Sequence, residues 1–373
     1  MQIQVPMSYP SFDSRKYFIW ILAPHVETDD ANIAYYYDFS QSIKEYTTAF
    51  AELNIQWKWC PVTLRNFRSV IDDILSQSSD LTNIFFNLCD GDEINGSPGI
   101  SVIQYLDEKG VIYTGSDEHF YDITTSKIPM KEAFDKANVS NAPWFSIISP
   151  QFSLNGEFHA LPKPIIIKPA VSAGSIGLGV RNVVHNETEL MDLVADLYKG
   201  YHGWDLSAGG FVAESFIKGE EYTTFIIGSH LYPGSAHIYP PVERRFNNAL
   251  SEEEKFLSFD RLWEFYEGEK PINDYEDFYN YYPVDESLSK EINDLSWAAF
   301  RSVGGTGYAR IDIRRDKETG KLYILEVNSQ CGLSEDENHT SIGAILRFAK
   351  ESYAQMCLRI LNEALQHPCH AIK

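Results

Sequence analysis

The stretch Tyr308–Asn328, YARIDIRRDKETGKLYILEVN, consists of two alternating runs joined by the short polar turn Asp316–Gly320. Side chains two apart in a strand share a face, so Arg310 and Asp312 point one way while Ile311 and Ile313 point the other. Glu326 and Asn328 repeat that pattern beside Leu325 and Val327. If the register keeps both polar pairs on one face, two carboxylates and an amide oxygen crowd together, which opposed like charges would destabilise. A positive charge is therefore expected between them. An all-oxygen set suits a hard divalent cation such as Mg²⁺, which takes few carboxylates and fills its shell with nucleotide phosphates. The alternative is a solvated hairpin face with scattered charges, and the rest of the chain decides between the two.

Upstream, apolar runs alternate with helical patterns. They are Lys16–Leu22, a helical stretch over about Tyr36–Leu53, Ile55–Cys60, a helical window at about Phe67–Leu75, Asn83–Cys89, a helix over Ile100–Glu108, and Val111–Gly115. Strands alternating with helices read as a parallel α/β sheet. The acidic stretch Asp90–Gly99 follows a buried strand, where ligand loops of open sheets lie, although an ordinary turn explains it equally well. A second unit begins near Thr125, with Lys127 and Lys131 on a helix, and includes the strand Pro164–Ala170. A third starts around Phe216 and ends in the hairpin and one final helix over about Ser341–Leu365. Pro233–Pro283, rich in tyrosine and acid and without a clean period, reads as a long loop or an insertion folding over a site. The expected division is 1–124, 125–215 and 216–373.

A net charge of −22 removes the basic surface that nucleic-acid binding requires. No apolar run approaches the roughly 18 residues of a membrane helix, and the first residues lack a signal peptide's apolar core. A cytoplasmic protein with neither nucleic acid nor membrane as partner is expected. Five cysteines with no C-x-x-C fit reduced thiols, and the HPCH run at His367–His370, one short cluster, is a weak metal motif.

Pro164–Val180, PIIIKPAVSAGSIGLGV, is an apolar strand ending in Lys168, followed by a loop with Gly174, Ser175, Gly177 and Gly179. Glycines admit close backbone approach, and successive amides make a nest for a phosphate to which Lys168 adds a charge. Turn-making alone would also explain the glycines. The lysine precedes them, so this is not the G-x-x-x-x-G-K-[ST] loop. Phe211–Gly228 joins two apolar strands through Glu214, Ser215 and the Lys218–Glu221 stretch, a setting for an adenine edge and ribose hydroxyls or for a plain connection.

In order, a lysine on a helix, a lysine before a glycine-rich loop, an acidic interstrand linker, RID and LEVN resemble the ATP-grasp superfamily, and within it the D-alanine–D-alanine ligase type. FFNLCDG, VIYTGSD, TTSKIPMKEAF, APWF and the CGLS after LEVN add to a resemblance that covers most of the chain. It implies an α/β protein, α+β in its ATP-grasp part, with three domains and an N-terminal Rossmann-like parallel sheet. It also implies ATP, with Lys127, Lys168, Gly174, Ser175 and Gly177 at the phosphates, Glu214, Ser215, Phe216 and Ile217 at adenine, and Glu221 at ribose. Asp312, Glu326 and Asn328 would hold two Mg²⁺ ions, Glu326 bordering the nucleotide as well. Lys255 would lie near the γ-phosphate, and Arg310 and the Gly332 amide would stabilise the oxyanion. The implied reaction is attack of a carboxylate on the γ-phosphate and capture of the acylphosphate by an amine, with a small-molecule donor and acceptor and, as in relatives, a homodimer. Positioning and charge neutralisation dominate such chemistry.

The chain departs from that family at the substrate end. The family's GG-x-S-x-E segment is replaced by APHVETDDANIAYYYD, leaving Glu27 as a stand-in for its glutamate. The loop serine of EGSSVG is here Gly174, and the tyrosine after Lys255 is Phe256. Loss of buried polar partners together changes which substrate binds without an unpaired group, so the donor is expected not to be D-alanine. Ser334 and the acids Glu335, Asp336 and Glu337 stand where NxxPGxT is usual and favour a cationic amine. In the run Glu243, Arg244 and Arg245, an arginine, taken as Arg245, could fork onto a substrate carboxylate or a phosphate, although a plain surface charge cluster explains them equally well. A true D-alanine ligase with a rebuilt first site and a non-catalytic ATP-binding protein are the rival readings.

Overall fold

The computed structural model describes residues 11–28, 37–154, 156–201, 203–264, 266–272, 277–337 and 340–366. The His367–His370 run and the expected helix start at Tyr36 lie outside them. Four parallel strands, β1 (Tyr17–Pro24), β2 (Gln56–Val62), β3 (Thr82–Asn87) and β4 (Ile112–Tyr113), pair in the order β2-β1-β3-β4. Helices α1 (Ser40–Glu52), α2 (Phe67–Leu75) and α3 (Ile100–Lys109) make the crossovers. Ile19 and Ile21 of β1 pack with Tyr46 and Phe50 of α1, while Trp20 and Leu22 pack with Ile71 of α2 and Leu106 of α3. A strand covered on both faces is apolar without interruption, which is why β1 and β3 stood out in the sequence. Strand order reverses between β1 and β3, where open sheets carry a crevice at the carboxyl ends, and Leu88, Asp90 and Gly91 of the loop after β3 line the cleft.

Next come α4 (Glu118–Thr125), α5 (Lys127–Lys136) and a second sheet of β5 (Trp144–Ile147), β6 (Ile165–Pro169), β7 (Val183–Val184) and β8 (Phe211–Ser215). It is antiparallel, in the order β5-β8-β6-β7, with α6 (Glu187–Leu197) on one face. Ile165 and Ile167 join that helix, whereas Ile166 faces Phe216 and Phe256 on the other side. Lys168 shares Ile166's side by alternation.

The third sheet holds β9 (Glu221–Ile227), β10 (His237–Ile238), β11 (Val242–Phe246), β12 (Tyr279–Pro283), β13 (Tyr308–Arg315) and β14 (Leu322–Ser329). It is antiparallel in the order β12-β11-β9-β13-β14, with β10 paired to β9. The Pro233–Pro283 stretch is therefore not one long loop: β10, β11, β12 and a helical turn at Phe259–Trp263 lie within it. The final helix is two, α8 (Ile342–Ala349) and α9 (Tyr353–Ala364), after α7 (Glu286–Ser302). The chain turns left-handed at Lys350 (φ 58), and Ser352 restarts it with a capping box to Gln355.

The hairpin contains an irregularity that alternation alone does not predict. Arg310 opposes Asn328 and Asp312 opposes Glu326, but Ile313 opposes Ile324, so Leu325 is an extra residue. Ile311, Ile313, Ile324 and Val327 all pack against α7 and α5 as one core. Leu325, expected beside Val327, instead borders the cleft on the polar face.

Ile311 is fully buried. Ile311→Ala should cost about 2–5 kcal/mol in urea unfolding, whereas the exposed turn substitution Glu318→Ala should stay within about 0.5 kcal/mol. A cost below about 1 kcal/mol for Ile311→Ala would remove this face from the core.

Candidate active site

The three sheets surround one cleft of about 610 Å³. Its wall draws on the Asp90 loop, the start of α5, the end of β6, the glycine-rich loop, the β8–β9 connection and the polar face of β13–β14.

At one end, Glu214 closes β8, 1 % exposed. Lys168 of β6 reaches one carboxylate oxygen at 2.6 Å and Lys131 of α5 the other at 2.5 Å. Burial alone would raise Glu214, but the two ammoniums outweigh it and hold the carboxyl down to about 2. Lys127, one turn before Lys131, sits 3.3 Å from the Ser172 carbonyl and 3.8 Å from Glu326. Burial holds its ammonium below the usual lysine range, against the pull of Glu326. Ser215, Phe216 and Ile217 border the same space.

Glu221 opens β9, and its direct partners on either side are Arg244 of β11 and Arg314 of β13. Both arginines bond to it, Arg314 at 2.9 Å, so a buried carboxylate lies between two buried guanidiniums across three strands. A carboxylate offers about four acceptor positions, so ribose hydroxyls remain compatible with this pairing.

The glycine-rich loop turns through positive φ at Gly174 (56), Ser175 (62) and Gly177 (75). At Gly177 a Cβ would lie 2.6 Å from Leu206 Cδ1, so only glycine passes there without displacement. Asn182 pins the loop to β6, donating to the carbonyls of Ile167 (2.8 Å) and Gly177 (2.9 Å). A lid from the segment after β11 lies over it: the Trp263 indole donates to Gly174 O at 2.9 Å, and Val180 N donates to Glu269 at 2.8 Å.

On the polar hairpin face, the expected positive charge is protein. Arg310 donates to Asp312 from Nη2 at 2.9 Å and from Nε at 3.1 Å, and Asn328 adds an amide bond at 3.0 Å. Burial pushes Asp312 up, yet Arg310 and Arg244 outweigh it and keep the carboxyl below its usual range. Asp312, Glu326 and Asn328 offer oxygens on one face, a donor set of the chemistry Mg²⁺ requires. Gly332 and Ser334 border the other end of the cleft. The Ser334 hydroxyl donates to buried Glu45 at 2.8 Å.

Four expected site residues are not brought here. Glu27 is exposed, 3.9 Å from Arg65, and is absent from the cleft wall. Lys255 turns outward to Glu252 at 2.7 Å because its neighbours Phe256 and Leu257 take the inward positions. Arg245 is exposed and paired with Glu243 at 2.7 Å; alternation directs Arg244 to the cleft instead. Glu337 pairs with Arg347 at 2.6 Å, and neither Glu335 nor Asp336 reaches the wall, so the sequence argument for an acidic acceptor end built on them fails. Conversely, Lys131 and Arg314 are not among the expected site residues, and Arg244 entered only as a member of the arginine cluster from which Arg245 was taken. Lys131 is one turn from Lys127, and Arg314 shares a face with Arg310 and Asp312, so period counting could have found both.

A profile of the family described as D-ala D-ala ligase C-terminus matches residues 134–342, more than half of the chain. The D-alanine--D-alanine ligase of Desulfotalea psychrophila is 27% identical over 273 residues, which spans 70% of this chain and 74% of the relative. D-alanine--D-alanine ligase B of Xanthomonas campestris pv. campestris is 26% identical over 286 residues, spanning 75% and 77%. Among solved structures, the D-alanine--D-alanine ligase from Bacillus anthracis complexed with ATP shares the fold with a TM-score of 0.64 at 18% identity, over 94% of this chain and 97% of that one. The Coxiella burnetii D-alanine-D-alanine ligase does so with a TM-score of 0.64 at 13% identity, over 94% and 96%. With its fold, its ordered motifs and this profile match, the chain belongs to the D-alanine–D-alanine ligase-like family of ATP-grasp ligases, which form carbon–nitrogen bonds.

Proposed function

We propose that this protein uses ATP and Mg²⁺ to join a small-molecule carboxylate to an amine through an acylphosphate, releasing ADP and phosphate. The observation that carries this reading is a convergence. Lys127, Lys168 and the glycine-rich loop open onto the same cleft as Arg310, Asp312, Glu326 and Asn328. The three sheets are taken as domains 1–124, 125–215 and 216–373, with the cleft where they meet.

In this reading the loop amides around Gly174, Ser175 and Gly177, with Lys127 and Lys168, cradle the ATP phosphates. The backbone at Ser215–Ile217 takes the adenine edge beside Glu214, and Glu221 accepts from ribose. Asp312, Glu326 and Asn328 would hold two Mg²⁺ ions, which when bound neutralise phosphate charge. The donor carboxylate oxygen attacks the γ-phosphorus and the bridging bond to ADP breaks. The amine nitrogen then attacks the acyl carbon, the bond to phosphate breaks, and the amine gives up a proton. Arg310 and the Gly332 amide border the position where the oxyanion develops.

The donor is proposed to differ from D-alanine. Glu27 stays outside the cleft, Gly174 has no side chain to offer, and Phe256 is buried against Phe216 and Ile166. The relatives' own D-alanine ligase activity favours D-alanine as the alternative substrate. Phosphate release across a panel of carboxylates and amines, with mass analysis of products, separates the two.

Glu326→Ala should lower donor-stimulated ATP turnover at least about 100-fold; unchanged turnover across the panel would sink the ligase reading. Glu214 supplies a pH test. Its carboxyl is depressed in the folded protein from 4.5 to about 2. The stability it contributes is therefore complete above the ordinary value and is lost as pH falls toward the folded one. Lys131→Met removes one cation, raises the carboxyl, and should move this acid loss to higher pH. Superimposable acid limbs in melting curves of the two proteins would show that the pairing contributes no such linkage.

A further inference from the structure

We infer that Arg244 is a positioning residue for the sugar of the nucleotide: with Tyr281 behind it, it fixes the plane of the Glu221 carboxylate and so sets how strongly the cleft selects ribose hydroxyls. The inference rests on the ligase reading above, in which Glu221 accepts from ribose, and adds what holds that carboxylate in place.

The geometry is a single row across four strands. Tyr281 of β12 directly opposes Arg244 of β11, Arg244 opposes Glu221 of β9, and Glu221 opposes Arg314 of β13. Directly opposed residues lie on one face of a sheet, so the four side chains share the cleft side, and all four are buried in its wall. Arg314 Nη2 donates to Glu221 Oε2 at 2.9 Å, and Arg244 Nη1 donates to Oε1. Arg244 is in turn held from outside. Its Nε and Nη2 donate to the Tyr281 hydroxyl at 3.3 and 3.1 Å, and its guanidinium carbon lies 5.3 and 5.4 Å from the ring centres of Tyr279 and Tyr281.

Two bonds do what one does not. The terminal torsion of a glutamate is broad, so a carboxylate tied at one oxygen swings about that tie. Tied at both, it has one plane, and its remaining acceptor positions point to fixed places. Charge balance does not account for Arg244, because Arg314 alone neutralises Glu221 and burying a second cation is expensive. Nor does the core, since Val242 and Phe246, two residues away on either side, are buried apolar side chains that an apolar residue at 244 would continue.

The two arginines are not equivalent. Arg314 also donates to the carbonyls of Ile217, at 3.1 Å, and of Lys255, so its loss would orphan backbone acceptors. Removal of Arg244 leaves Glu221 and Arg314 as a one-to-one pair. Arg244 is therefore the position where the hold on the sugar loosens while the fold and the other nucleotide contacts stay.

The test is calorimetric binding to the full chain with Mg²⁺ and no donor carboxylate, comparing ATP with 2′,3′-dideoxyATP, which lacks both hydroxyls. Wild type should bind ATP at least about tenfold more tightly, as hydrogen bonds to a charged group warrant. Arg244→Met should cut that preference to about twofold, weakening ATP and leaving the dideoxy analogue within about twofold of its wild-type affinity. Tyr281→Phe, which keeps the charge and releases the guanidinium, should lie between, and Arg244→Lys should restore part of the preference. If Arg244→Met fails to fold, those two variants carry the comparison. Parallel weakening of both nucleotides overturns the proposal, because Arg244 then serves the sheet alone. A preference that stays at the wild-type value in every variant overturns it too. A wild type that binds both nucleotides equally takes ribose away from Glu221, and this proposal with it, and leaves the ligase reading standing. A wild type that binds neither removes the ATP reading and this proposal together.

Discussion

The extra residue at Leu325 decides which side of the third sheet carries charge. Without it, strict alternation from Ile324 would send Glu326 and Asn328 to the side occupied by Ile311 and Ile313, under α7. Two polar side chains would then displace a core, and Asp312 would face no second oxygen donor. The bulge reverses parity once, so that Ile324 and Val327 both stay inside while Glu326 and Asn328 oppose Asp312 and Arg310. On the far edge of β13, β9 fixes the same face by pairing Arg314 with Glu221.

Charge is concentrated around the cleft and neutralised locally. The protein's net charge is −22, yet Glu214 has two lysines, Glu221 two arginines, and Asp312 an arginine and an amide. A buried carboxylate without such company is expensive, and two cations per anion leave surplus positive charge toward the nucleotide end. That surplus suits a polyanion.

Much of the fold could be read from the sequence because burial leaves a plain record. Continuous apolar runs marked β1 and β3, and alternation marked β13. The failures have equally physical causes. Two arginines in succession, Arg244 and Arg245, give both faces of β11 the same charge, and only its pairing with β9 selects the inward one. Lys255 was placed by motif position, but the apolar neighbours Phe256 and Leu257 compete for the interior and win it. The break at Lys350 carried a signal, the Ser352 and Gln355 spacing of a capping box, inside an otherwise helical pattern.

The lid bears on traffic through the cleft. It is fastened to the glycine-rich loop by the Trp263 and Val180 bonds, together with Phe259 N to the Leu178 carbonyl at 2.8 Å. Phe259 and Trp263 also pack into the core of the second sheet, and Lys218 and Lys317 pair with Glu253 and Glu252 of the same segment, so lifting it would break burial and ion pairs as well as these bonds. The cover over the glycine-rich loop is thus held by core packing and by bonds to carboxylates as well as by neutral hydrogen bonds, so access to the cleft is tied to the stability of the second sheet itself.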